Sequence, residues 1–160
     1  MNPVLSATLA LWGSMLIASP ASAAQMPLEQ PMPNRGTQDS RQEVNFPPLA
    51  KRHTLMTMRM HLQGLAEIQG ALAAGKFEEA AHIATETLGM SSMHGNQMAE
   101  DSKYMPQGMM RLGALMHQRA EEFAVSAQNA AATGDVRPPL RALSNLTQTC
   151  VACHAVYRLR

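Results

Sequence analysis

Apolar residues recur at helical spacing along most of residues 49–160 of this 160-residue chain. The first stripe steps by three or four residues, follows Pro47-Pro48 and stops before Gly75. That pattern predicts an amphipathic helix beginning at Leu49, because proline suits a helix start and glycine suits a helix end. The predicted buried stripe of this helix consists of Leu55, Met58, Leu62, Leu65 and Leu72.

Three further helices follow from the same spacing. A second helix is predicted from Phe77 to about Leu88, with Gly89 as its stop. A third begins at Pro106 and ends near Thr133-Gly134, and residues 90–105 between them are the least regular stretch. A fourth begins after Asp135 and continues through Leu146 into the C-terminal segment that starts at Cys150. The inward positions predicted for the third helix are Met109, Leu112, Leu115 or Met116, Ala120, Phe123 and Ala127.

The chain shows no alternating strand pattern and no repeat of fixed period. Four amphipathic helices joined by short turns can hide their apolar stripes only against one another. The predicted fold is therefore all-α, an antiparallel four-helix bundle over residues 49–160.

The N-terminal region differs in composition from this predicted bundle. Residues 1–23 carry no charged side chain, and Val4–Ile17 is an apolar run followed by the small residues Ala21-Ser22-Ala23. This pattern predicts a secretory signal peptide cleaved near Ala23, and an uncleaved anchor is the alternative. Residues 24–48 are rich in proline and polar residues and are predicted to form a disordered linker.

Composition and charge narrow the possible functions. Lys and Arg number 13 and Asp and Glu 12, and no basic stripe points to nucleic acid. No nucleophile lies beside a base, so we do not expect an enzyme. Met1 and Met15 lie in the predicted signal, so 12 of the 14 methionines remain after cleavage, beside only five aromatic residues. A core so poor in aromatic side chains has room for another bulky apolar group.

The C-terminal segment carries the strongest chemical signal. Cys150 and Cys153 with His154 form C-x-x-C-H, the attachment motif of a c-type haem, and they are the only cysteines. Positions i, i+3 and i+4 share one face of a helix, so two thiols can bond to one porphyrin while the imidazole faces the iron. A redox dithiol or half of a zinc site is the alternative, but no predicted strand precedes the motif and two further zinc ligands are lacking.

This segment resembles the class II cytochromes c, the cytochrome c′ group and its low-spin relatives. The resemblance rests on C-x-x-C-H-x-x-Y-R, Cys150 to Arg158, at the end of the last helix, and on R-x-x-x-M in the first, Arg52 and Met56. It implies one covalently attached haem c on the C-terminal helix, with His154 as proximal iron ligand. It also implies a haem environment formed by Arg52, Tyr157 and Arg158.

The resemblance makes Met56 the first candidate for a distal iron ligand. Arg52 and Met56 fall within about 40° of each other on a helical wheel, and Met60 lies about another 40° on. Met60 and His53 are therefore the alternatives, whereas His61 projects away from that face. Met and His ligation together suits electron transfer. The chain is rich in methionine, and a helical methionine more often fills a core.

A stretch rich in methionine and histidine, residues 90–117, suggests a second chemistry. Thioethers with imidazoles suit copper, and His94 and Met98 can share a helical face. Adaptable packing by methionine is the simpler explanation, with His117 exposed to solvent.

These observations rank three functions. The first is a periplasmic mono-haem electron carrier with no membrane span after signal cleavage. Its expected partners are redox proteins that it binds transiently, and a second copy of the chain in a homodimer. The second is a five-coordinate protein that binds NO or CO. A copper-binding protein is the third.

Overall fold

The structure, a computed structural model, describes residues 39–93 and 100–160. Helices form most of this part of the chain, which confirms the predicted all-α class. The helices are α1 (Pro48–Ala73), α2 (Phe77–Thr87), α3 (Gln107–Thr133) and α4 (Arg137–Val156), and a 3-10 turn spans Met90–Met93. The predicted signal peptide, residues 24–38 of the predicted linker, and residues 94–99 lie outside the described residues.

The predicted helix ends are confirmed to within a residue or two, except at the C-terminal end of the last helix. Pro47 and Pro106 immediately precede α1 and α3, where a missing N–H costs no helical hydrogen bond. Gly75, in the turn after α1, and Gly134, which directly follows α3, both have φ of 71°, a conformation that glycine adopts without strain. Before α4, the Asp135 carboxylate accepts a hydrogen bond from the Arg137 N–H at 3.0 Å.

Consecutive helices pack side by side: α1 against α2, α2 against α3, and α3 against α4. The turns after α1 and α3 hold three residues each, which favours antiparallel neighbours. One apolar cluster lies between the helices, and its fully buried members include Ile68, Leu88, Phe123 and Leu146. Alanines fill much of the remaining interface and let the backbones approach closely. Those with no exposed surface are Ala80, Ala84, Ala120 and Ala127.

The predicted stripe of α1 is wrong over the first half of the helix. Leu62 is 69% exposed, and Leu55 and Met58 are also exposed. The buried side of this helix instead follows Thr54, His61, Gly64, Ile68 and Leu72. Gly64 sits so close to α2 that a Cβ would meet the Thr87 side chain. Small and polar residues therefore mark the close helix contact, and apolar spacing alone does not reveal it.

Two short strands correct the prediction of a purely helical chain. Strand β1 (Gln42–Val44) pairs in parallel with β2 (Tyr157–Leu159), with Gln42 opposite Tyr157 and Val44 opposite Leu159. Residues 42–44 fall in the predicted disordered linker, and 157–159 in the predicted last helix. The pairing is possible because α4 ends at Val156 and Tyr157 is extended, with φ −118° and ψ 145°.

None of the helices within the described ranges combines the length and the apolar character that a membrane crossing requires.

Candidate functional site

The two cysteines continue the buried side of α4. Pro139, Leu143 and Leu146 are buried, and Cys150 and Cys153 follow at the same alternation of four- and three-residue steps. Because i, i+3 and i+4 positions share a helix face, this stripe turns both thiols towards the interior side of the helix. His154 comes one residue later and is exposed. The helix therefore presents two thiols and an imidazole at its C-terminal end.

Both thiols are free and half-buried. Burial raises the pKa of Cys150, and burial followed by repulsion from Cys150 raises the pKa of Cys153. A reactive redox dithiol has the opposite property, since a helix N-terminus or a nearby cation lowers its thiol pKa. These thiols lie instead at the C-terminal end of a helix, where the dipole disfavours a thiolate. The environment therefore activates neither thiol as a redox nucleophile.

Tyr157 and Arg158 lie on β2 and not on the last helix, so their predicted helical placement is wrong. Arg158 forms an ion pair with Glu43 of β1 and lies 3.6 Å from the Asp39 carboxylate. It therefore links the strands and does not follow His154 by one helical turn. The change follows from the extended backbone at Tyr157, which turns alternate side chains to opposite faces of the strand pair.

Tyr157 belongs to a second, smaller apolar cluster at this end of the molecule. Its hydroxyl lies so close to Gly108 of α3 that a Cβ there would overlap it. Buried Val44, Phe46 and Ala50 form the centre of the cluster, and Tyr157 and Leu159 pack against them. Ala50 is in the first turn of α1, two residues before Arg52. This cluster therefore brings the start of α1 close to the chain segment that directly follows the cysteine motif.

Arg52, Met56 and Met60 all lie on the exposed surface of α1. Met56 is 54% exposed and Met60 is 55% exposed, so protein packing holds neither thioether in the core. His53 is mostly covered and its Nδ1 lies 3.6 Å from Asp101. His61 is buried, which confirms that it projects away from the face of Met56.

One residue near the motif, Arg41, had no signal in the sequence. Its Nη1 donates a hydrogen bond to the backbone carbonyl of His154 at 3.3 Å, although 113 residues separate them. The same guanidinium pairs with Asp39 at 2.7 Å. Only the pairing of β1 with β2 brings this arginine to the end of α4, and neither strand was predicted.

The stretch rich in methionine and histidine is only partly described. His94 and Met98 lie outside the described residues. His117 is 5% exposed, so the expectation of a solvated histidine is wrong. Its Nδ1 lies 2.8 Å from the Leu88 carbonyl, which can only accept, so Nδ1 carries the proton. Within residues 39–93 and 100–160, no three His, Cys, Asp or Glu side chains group to hold a metal ion.

Comparisons with known proteins return no match to a family model, a curated protein or a solved structure. The site is therefore interpreted from its donor groups. Two unpaired thiols on one helix face and an adjacent exposed imidazole fit the covalent attachment and axial ligation of a haem. A thioether on the exposed face of α1 is a donor of the kind found opposite such a histidine.

Proposed function

We propose that this protein is a mono-haem c-type cytochrome of the class II kind, which carries electrons in the periplasm. The observation that carries the proposal is the buried stripe of α4, which continues through Cys150 and Cys153 and ends beside His154. The raised pKa values of the two thiols argue against the alternative of a reactive redox dithiol. The four packed helices support an antiparallel bundle as the scaffold.

The residues of the chain have separate tasks in this proposal. Cys150 and Cys153 anchor the haem through thioether bonds, and His154 provides the proximal nitrogen ligand. Met56 provides the distal sulfur ligand, and Arg52, one turn earlier on α1, places a positive charge on the same helix face. A bound haem c supplies a one-electron couple whose potential is raised by Met and His ligation.

The proposed carrier meets its redox proteins through transient contacts. A homodimer through α1 and α2 is part of the same proposal, and the exposed Leu55, Met58 and Leu62 of α1 support it. We expect Leu62→Lys to shift the purified protein towards monomer in sedimentation equilibrium. A wild-type protein that is monomeric at high concentration would contradict this part of the proposal alone.

The exposure of Met56 also favours a second candidate function. Because no packing fixes the Met56 thioether, it could stay away from the iron. The iron would then keep an open coordination position, as in a five-coordinate protein that binds NO or CO. Copper binding by residues 90–117 is the third proposal, and titration of the holoprotein with Cu(I) tests it.

Absorption spectroscopy of the holoprotein tests the main proposal, using wild type, Met56→Ala and Met60→Ala. Met60 is a matched control because it lies one turn further along α1 and is equally exposed. We expect a low-spin spectrum whose thioether-to-ferric-iron charge-transfer band is lost only in Met56→Ala. A high-spin wild type that binds CO or NO would establish the second candidate. Loss of the band only in Met60→Ala would move the ligand to Met60.

A double variant of the two cysteines tests the covalent attachment itself. We expect Cys150→Ser with Cys153→Ser to yield protein without covalent haem when it is exported together with haem attachment machinery. Wild-type protein exported under the same conditions without covalent haem would overturn the proposal.

A further inference from the structure

Arg41 completes the C-terminal end of α4. The last carbonyls of a helix have no partner within it, and here the Cys153 carbonyl accepts a hydrogen bond from the Tyr157 N–H of the cap. The Arg41 guanidinium donates to the next carbonyl, that of His154, at 3.3 Å. A positive charge at this position also complements the negative end of the helix dipole.

Asp39 and the neighbouring strand β1 hold Arg41 in place. Its guanidinium is paired with Asp39 through two contacts of 2.7 and 2.9 Å, which fix its planar fork. Strand β1 is tied to β2 by parallel pairing, and the Arg160 N–H donates to the Val44 carbonyl at 3.1 Å. Val44 is 3% exposed and anchors β1 in the smaller apolar cluster.

We propose that Arg41 is a positioning residue for the axial histidine, acting through its hydrogen bond to the His154 carbonyl. This inference rests on the proposed function, since it assigns a role at the haem that His154 would ligate. Arg41 lies in the predicted linker, so part of that linker would belong to the haem site. Through its hydrogen bond, Arg41 keeps the last turn of α4 from fraying and thereby fixes the direction of the imidazole.

The chain contains a matched control for this contact. Arg137 pairs with Asp135 in the same Asp-x-Arg arrangement, with Nε–Oδ1 and Nη2–Oδ2 distances of 2.8 Å. That pair lies at the opposite end of α4, at its N-terminus. Arg137→Ala therefore removes an equivalent charge and ion pair without touching the histidine.

The experiment compares Arg41→Ala, Arg41→Lys and Arg137→Ala with wild type as purified holoproteins. Hydrogen exchange at the amides of residues 154–157 reports the last turn, and spectroscopic redox titration reports the haem. We expect exchange in Arg41→Ala to be about fivefold faster, the size of one exposed charge-assisted hydrogen bond. The reduction potential should fall, because the Asp39 carboxylate loses its closest cation. Arg41→Lys should recover part of both effects, and Arg137→Ala should match wild type.

An unchanged potential in Arg41→Ala would overturn the inference, even with faster exchange, because Arg41 would then be a structural cap only. Equal shifts in Arg41→Ala and Arg137→Ala would also overturn it. A wild type that carries no covalent haem would instead contradict the proposed function. Hydrogen exchange on that protein would still show whether Arg41 holds the last turn.

Discussion

The imidazoles of His61 in α1 and His117 in α3 meet edge to face, with ring centroids 5.9 Å apart and an interplanar angle of 86°. Both side chains are buried. Burial, and then the proximity of His117, lowers the pKa of His61 to about 4. The contact between these helices therefore depends on an uncharged histidine.

This pair predicts a loss of stability in mild acid. In the unfolded chain His61 binds its proton near pH 6.5, whereas in the folded protein it does so near pH 4. The stability that neutral His61 contributes is therefore fully present above pH 6.5. It is lost as pH decreases from 6.5 to 4, because the unfolded state binds the proton first. We expect a loss on the order of 3 kcal/mol over this range, measured by urea unfolding at fixed pH values.

Two variants separate His61 from the other titrating groups. His61→Leu should flatten the dependence of unfolding free energy on pH between 4 and 6.5. His82→Gln should leave it unchanged, because His82 is exposed on α2. Equal slopes in wild type and His61→Leu would show that the buried pair does not control acid stability.

The ion pairs of Glu43 predict a salt-dependent contribution to stability. Its carboxylate pairs with Arg158 of β2 and lies 3.3 Å from Arg160, the residue that follows this strand. We expect Glu43→Gln to lower the free energy of unfolding by about 1 kcal/mol at low ionic strength. Molar salt should remove most of the difference.

Glu79→Gln is the control for that measurement. Glu79 pairs with Lys76 at 2.9 Å, but both side chains are more than half exposed and lie on the same helix end. Its effect should be at most a few tenths of a kcal/mol. A Glu43 variant no less stable than this control would show that the charges across the strands do not hold them together.

The helices and the cysteine motif could be predicted from the sequence because their signals are local. Gly134 ends α3 and Pro106 precedes it, and both act within one turn of their own position. Cys150, Cys153 and His154 carry their spacing within five residues. Such features need no knowledge of the rest of the chain.

The strand pair could not be predicted, because its signal is divided between the two ends of the folded region. Val44 and Leu159 are inward-facing residues of three-residue strands, too short to show a period of two. The burial of His117 could not be predicted for a related reason. Its hydrogen-bond partner, the Leu88 carbonyl, lies 29 residues away in the sequence, and only the packing of the helices brings the two together.

The raised pKa values of the cysteines predict slow alkylation of the haem-free chain. Iodoacetamide reacts with the thiolate, and burial disfavours the thiolate of Cys150 and Cys153. We expect labelling at pH 7 to be slower in the folded protein than in the same chain unfolded in urea. Faster labelling in the folded state would indicate activated thiols and would favour the redox dithiol.

The contact between Gly108 and Tyr157 predicts a strong coupling between α3 and β2. A Cβ at residue 108 would overlap the Tyr157 hydroxyl and also lie 3.5 Å from the ring carbon that bears it. Gly108→Ala should therefore destabilise the protein by about 1–3 kcal/mol, despite the better helix propensity of alanine.

Gly113→Ala is the control on the same helix, since nothing lies within 4 Å of its added Cβ, and it should stabilise by about 0.5–1 kcal/mol. Tyr157→Phe removes the overlapping oxygen, so Gly108→Ala should cost less in that background. A double-mutant cycle in urea measures the difference. Additive effects would mean that the tyrosine moves aside and that the hydroxyl does not fix the packing of β2 against α3.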